Sequence, residues 1–159
     1  ECWSWCEHKL HPIPPKAASP DHWEKGRELP QAMETVAVVV GAGAGATIRH
    51  FASQFAKRKH SDLGPVAITA VNTAGSFVLG AVVGTPNLST RSRVCLGTGF
   101  CGALTTFSTY SMDIVTMIEA KEIGRAVRYV GMNHVGGLGG ATLGYLLAKQ
   151  FARSRLMSK

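Results

Sequence analysis

The sequence predicts an all-α integral membrane protein with four transmembrane helices in each protomer, and three observations predict it. Four stretches, 35–48, 65–90, 94–112 and 129–148, contain no Asp, Glu, Lys or Arg. The last three are long enough to cross hydrocarbon, which takes about 20 residues of helix. The basic residues crowd beside these stretches, at Lys57, Arg58 and Lys59, at Arg91 and Arg93, and at Arg153 and Arg155. The stretches also lack the continuous polar face that a helix on a soluble core presents. A chain-average hydropathy of +0.08 conceals this pattern, because polar and apolar segments alternate along the chain. The predicted spans are roughly 33–55, 65–85, 94–118 and 127–149.

Residues 1–32 differ from the rest. They hold five of the seven prolines, all three tryptophans and mixed charges. Without an apolar central region they do not read as a secretory signal. They form a polar leader, 1–32, ahead of a membrane domain, 33–150, and a basic tail, 151–159. Cys2, Cys6, His8 and His11 resemble a metal cluster only loosely, since the spacing lacks a second half; the leader is read without zinc.

The first span carries Val36–Val40 and then Gly41-Ala42-Gly43-Ala44-Gly45-Ala46. A dinucleotide fingerprint begins this way, but it needs a strand–helix–strand unit and a suitably placed acid. Asp62 lies in a Lys/His/Ser loop, so the small residues read as a helix-packing seam. Arg49 closes that run. In the second span Pro65 stands near the start, where proline is tolerated, and Asn72 is the most polar group. A carboxamide at membrane depth needs a partner.

The third span holds the most unusual stretch, Gly97 to Met112, which opens with Gly97, Gly99 and Gly102 and continues in hydroxyls with two rings, Phe107 and Tyr110. Three glycines weaken a helix by about 1 kcal/mol each relative to alanine. A break is therefore expected ahead of Thr105, and its exposed backbone groups require partners. Asp113 follows late in the span. In the fourth span Gly136, Gly140 and Gly144 recur every fourth residue as a packing seam, while Tyr129, Asn133 and Gly137 share a second, polar face. The seventeen Lys and Arg against ten Asp and Glu give a net charge of +7. Their position beside apolar runs suits headgroups rather than nucleic acid.

Three motifs carry a specific resemblance. Gly102–Ser108, read as G-A-L-T-T-F-S and followed by Thr109-Tyr110, resembles the third-helix signature of the Fluc (CrcB-type) fluoride channels. Val71–Phe77 is similar to that family's second-helix V-N-x-x-G-S-F. Gly41–Arg49 resembles its first-helix G-G-x-x-G-A-x-x-R, with Ala42 at the second glycine. The resemblance implies four membrane helices, the third broken, in a protomer that pairs antiparallel with its own copy. Such dual topology needs balanced flanking charge. Omitting the leader, six basic residues (Arg91, Arg93, Lys149, Arg153, Arg155, Lys159) face seven (Arg49, Lys57, Arg58, Lys59, Lys121, Arg125, Arg128).

The resemblance further implies a passive, fluoride-selective channel in a multi-pass arrangement in the cell membrane, or an organellar one, protecting against fluoride toxicity. It implies a pore of Asn72, Phe107, Tyr110, Thr106, Ser108, Tyr129 and Asn133, with Arg49 at the vestibule. A structural sodium ion would be held at the dimer interface by the backbone carbonyls of Gly102 and Thr105. The partners are then fluoride, the lipid bilayer and a second copy of the chain, with neither nucleic acid nor nucleotide. Tyr110 stands where the family usually has Phe, Asn133 replaces a smaller hydroxyl residue, and Ala103 replaces a common Gly. Nothing in the chain suggests an enzyme, because no nucleophile stands with a base. The alternative is a small dual-topology ion-coupled transporter of fluoride/proton or cationic-drug type. Such a carrier uses a membrane-embedded carboxylate, and Asp113 is the nearest candidate.

Overall fold

The computed structural model describes residues 31–59 and 63–157, and these are helical with no strand among them. The polar leader and its Cys2/Cys6/His8/His11 group lie almost wholly outside the described residues. Helix α1 spans Gln31–Lys59 and α2 spans Gly64–Gly84. The third run comes in pieces: α3 (Thr90–Arg93), a π-helical stretch (Val94–Cys101), α4 (Gly102–Leu104) and α5 (Phe107–Glu119). Helix α6 runs from Ile123 to Met157, continuing past residue 150 into the basic tail. The valine-rich start of α1 is helical, which removes the strand that a nucleotide fingerprint needs.

Helices α1 and α2 are each long and apolar enough to cross a bilayer alone. Much of the apolar surface faces outward. Val39, Phe51 and Phe55 on α1 and Val127, Val135 and Leu138 on α6 are all more than 60% exposed. Among the described residues the largest side chain that is fully buried is Cys101. So thin a core, clad in large apolar residues, suits a lipid solvent better than water.

Glycines set the helix spacing. A Cβ on Gly140 would lie 2.8 Å from the Thr73 carbonyl oxygen, and one on Gly144 would overlap the Phe77 carbonyl. The seam expected on the fourth span therefore lies against α2. Gly80 and Gly84 return the contact from α2 onto Ala141 and Tyr145. On the other side, Gly41 and Gly45 of α1 meet the backbone of Cys95 and Phe100, and a Cβ on Gly99 would sit 2.6 Å from the Val38 carbonyl oxygen. Backbones this close gain dispersion contacts, which drive helix association where no water is displaced.

The break differs from expectation in its place. The glycine-rich stretch Gly97–Gly102 does not interrupt the chain. Most of it widens into a π-helix, in which Gly99 serves the approach to α1 and Gly97 faces Leu79 and Val82 of α2. The interruption comes later, at Thr105 (φ −77°, ψ 152°) and Thr106 (φ −145°, ψ 115°), both extended. A helix opens where its backbone groups can be satisfied from elsewhere, and here two such devices converge. The Thr106 hydroxyl caps α5 by accepting the Thr109 N–H at 3.3 Å, and Asn72 meets the Thr106 backbone, as described below.

The remaining joints are capped in conventional ways. Ser89 accepts the Ser92 N–H at 3.2 Å to start α3. The Arg93 guanidinium reaches back to the end of α2 and its following turn, donating to the carbonyls of Val82 (3.3 Å), Thr85, Pro86 (3.2 Å) and Leu88 (3.2 Å). A cation there satisfies orphan carbonyls at the negative end of the helix. Lys121 takes φ 61° after α5, with its own N–H on the Ile118 carbonyl and that of Glu122 on the Met117 carbonyl. This left-handed residue reverses the chain into α6.

Candidate functional site: a polar chain along an open groove

The third-run break, α2 and α6 enclose an open groove of about 520 Å³. Asn72, Thr106, Phe107, Tyr110 and Asn133 line it, and the glycine-rich Gly97–Gly102 stretch forms one wall. Five of the seven sequence-predicted pore residues thus come together. Ser108 stands beside the cap, its hydroxyl 3.3 Å from that of Thr106. Tyr129 lies one turn beyond Asn133, outside the groove proper.

Asn72 is the centre of the arrangement. Its Oδ1 accepts the Thr106 N–H at 2.9 Å, and its Nδ2 donates to the Thr106 carbonyl at 3.4 Å and to Asn133 Oδ1 at 3.1 Å. One carboxamide thereby pairs with both backbone groups of a residue that is only 6% exposed, as a neighbouring strand would. Asn133 continues the chain. Its Nδ2 donates to Thr69 Oγ1 at 2.9 Å and to the Tyr129 carbonyl at 3.1 Å. Thr69 donates its own hydroxyl hydrogen bond to the Pro65 carbonyl at 3.0 Å. Tyr129 donates its phenol to Asp113 Oδ2 at 2.9 Å.

The rings run alongside this polar chain. Phe107 and Tyr110 lie with centroids 5.7 Å apart, and Tyr110 and Tyr129 with centroids 5.3 Å apart. The rings of Tyr110 and His134 stand in a T-shaped arrangement with centroids 6.3 Å apart. Tyr110 is buried, whereas Phe107 is 79% exposed and projects from the protomer. The positive edge of such a ring attracts anions.

The sodium site expected at Gly102 and Thr105 can be tested on the backbone. The Thr106 N–H would continue the helix to the Gly102 carbonyl, but it is drawn away to Asn72. That carbonyl therefore loses its helical partner, on the open side of the groove, where a Cβ on Gly102 would meet nothing within 4 Å. The Thr105 carbonyl accepts Arg49 Nη1 at 3.2 Å. This retains one lone pair for a second donor or a cation. The Thr105 side chain is occupied locally, with its hydroxyl on the Cys101 carbonyl at 3.0 Å. A backbone carbonyl pair of this kind fits a hard cation. Arg49, predicted at a vestibule, thus reaches the break itself.

Three groups were not among the predicted site residues. Thr69 has a legible signal, since residues 69, 72 and 76 share one face of α2. Asp113 stood out as the only acid in its span, but its partner Tyr129 comes from another helix. His134 gave no signal beyond its place next to Asn133.

Residues 36–145, well over half of the chain, match the family described as CrcB-like protein, Camphor Resistance (CrcB). The chain belongs to the CrcB family. It is 36% identical over 115 residues to a protein of Rhodococcus jostii named fluoride-specific ion channel FluC 2, covering 72% of this chain and 98% of the relative. It is 35% identical over 121 residues to the fluoride-specific ion channel FluC of Pyrococcus furiosus, covering 74% and 97%. A Bacillus thuringiensis relative, also named fluoride-specific ion channel FluC 2, is 32% identical over 115 residues, covering 72% and 97%. The match, residues 36–145, covers α2 to α5, all but the first turn of α1 and α6 as far as Tyr145, together with the break and every groove residue named above.

Proposed function

We propose that this chain is a fluoride-selective membrane channel, built as four membrane spans and completed by an antiparallel second copy. The observation that carries the reading is the polar chain Thr106–Asn72–Asn133–Thr69, laid along an apolar groove in a member of a family whose relatives are named fluoride-specific channels. An anion leaving water needs donors and positive ring edges at close quarters, and nothing bulky. The groove supplies Asn72 and Asn133 amides, threonine hydroxyls, and the edges of Phe107 and Tyr110. Phe107 lines the groove yet is 79% exposed, a ring that a second copy closing the groove would cover.

Balanced flanking charge supports the antiparallel pairing, and the released Gly102 carbonyl supports a sodium ion on the dimer axis. When bound, that ion would join two Gly102 and two Thr105 carbonyls and hold the breaks of both protomers together. The pore residues of each protomer would conduct beside it. The cell membrane is the natural site for export, and no catalytic group is required.

The test is fluoride efflux from liposomes that contain the purified protein. Wild type should release fluoride and retain chloride, and Phe107→Ile, which keeps apolar bulk but removes the ring, should stop release. Unchanged efflux from a well-folded Phe107→Ile dimer would place the path elsewhere. A carrier built on Asp113 is the competing reading. Uphill fluoride movement driven by a proton or sodium gradient would establish that class instead.

A further inference from the structure

The hydrogen-bonded chain along the groove has no donor to spare at its centre. Both Nδ2 hydrogens of Asn72 are given, to the Thr106 carbonyl and to Asn133 Oδ1, and the Thr106 N–H on Oδ1 fixes which way round that amide stands. Both Nδ2 hydrogens of Asn133 are given as well, to Thr69 Oγ1 and to the Tyr129 carbonyl. The threonine hydroxyls at the break are committed in turn, Thr105 to the Cys101 carbonyl and Thr106 to Thr109 Oγ1. A carboxamide has two donor hydrogens and a hydroxyl has one. An anion that sheds water here must therefore find its direct hydrogen bonds elsewhere in the groove.

Ser76 and Tyr110 also line the groove, and neither hydroxyl has a hydrogen-bond partner among the described residues. Thr69 and Thr85, on the same helix as Ser76, each donate back to the carbonyl four residues earlier, a common resting place for a helical hydroxyl. Ser76 makes no such bond. It faces α6, where its Oγ would lie 3.7 Å from a Cβ placed on Gly137. Tyr110 is 7% exposed, with its ring beside those of Phe107, Tyr129 and His134. Among the described residues no sealed-off side-chain oxygen or nitrogen lacks a partner, so the Tyr110 hydroxyl opens onto the groove that the residue lines. His134 does not supply a donor in its neutral form. Its Nδ1 must donate to the Val130 carbonyl at 2.9 Å, since a carbonyl only accepts, and this leaves Nε2 bare. We infer that the hydroxyls of Ser76, from α2, and Tyr110, from α5, are the direct hydrogen-bond donors to the anion beside the gap at Gly137, while the Asn72 and Asn133 carboxamides hold the break open. The inference rests on the fluoride-channel reading and narrows it to the atoms that touch the ion.

The experiment measures initial fluoride efflux from liposomes over a range of internal fluoride concentrations, and the melting temperature of each purified protein in detergent. Tyr110→Phe and Ser76→Ala each remove a hydroxyl and keep the rest of the side chain. One hydrogen bond to a charged group corresponds to about a tenfold change in affinity. Each variant should therefore raise the half-saturating fluoride concentration about tenfold. Neither should melt lower than the wild type, because a hydroxyl without a protein partner leaves nothing unpaired when it is removed. A half-saturating concentration within about twofold of wild type in either variant, less than one such hydrogen bond, would overturn the inference. So would a lower melting temperature, which marks a hydroxyl spent on the protein itself or on a second copy. A wild type that passes no fluoride would instead sink the channel reading, and this inference with it.

Discussion

Replacing Asn72 by alanine separates holding the helix break from conducting through it. The substitution removes the acceptor of the Thr106 N–H (2.9 Å) and the donor to Asn133 (3.1 Å), and it also removes the weaker contact to the Thr106 carbonyl (3.4 Å). Thr106 is 6% exposed, so its N–H would be buried without a partner. An orphaned buried donor costs about 1–3 kcal/mol, and the upper part of that range applies where no water reaches it. A loss of about 2–3 kcal/mol shifts the folding equilibrium by roughly 30- to 150-fold. Asn72→Asp is the informative companion. It keeps an oxygen for the Thr106 N–H but sets an acceptor and a negative charge against the Thr106 carbonyl and Asn133 Oδ1, so it should abolish flux without restoring the full stability. Folded fraction against denaturing detergent, read by helical circular dichroism, gives the first quantity, and liposome efflux gives the second. An Asn72→Ala protein within about 0.5 kcal/mol of wild type, well inside the cost of one orphaned donor, would refute the assignment of Asn72 to the break.

Neighbouring glycines on α6 should respond oppositely to alanine. Gly140→Ala puts a methyl 2.8 Å from the Thr73 carbonyl oxygen and should destabilise by about 1–3 kcal/mol through overpacking. Gly139→Ala meets nothing within 4 Å and should stabilise by up to about 1 kcal/mol through helix propensity; thermal melts in detergent compare the two directly. Lys121→Gly relieves the φ of 61° and should raise stability by about 0.5–1 kcal/mol in the same assay, a left-handed residue being near-free only for glycine. Gly102→Val restricts the backbone beside the released carbonyl. It should remove any dependence of dimer stability on sodium over a large organic cation, whereas Thr105→Ser should retain that dependence.

What the amino-acid sequence determined by itself is the helical class, the family and the packing seams. Charge-free runs and their basic flanks are local properties, and the glycine period at 136, 140 and 144 exists before any partner does. The three motifs were sufficient to identify the family, because each is specific in itself and they keep their order and spacing along the chain. The sequence also placed Asn72, Thr106, Phe107, Tyr110 and Asn133 in one site, and the groove brings them together. Tertiary structure alone decided where the third run opens and who satisfies it. Local propensity put the break among the glycines, but that stretch stays helical and its Gly99 is needed to let α1 approach. The chain opens instead at Thr105 and Thr106, where Asn72, 34 positions away, answers one residue and Arg49, 56 positions away, answers the other. The same holds for Asn133 with Thr69, and for Tyr129 with Asp113. A side-chain hydrogen bond depends on a distance of about 3 Å and on direction. No pattern within one helix specifies those quantities; they follow from how closely the glycine seams let the helices meet.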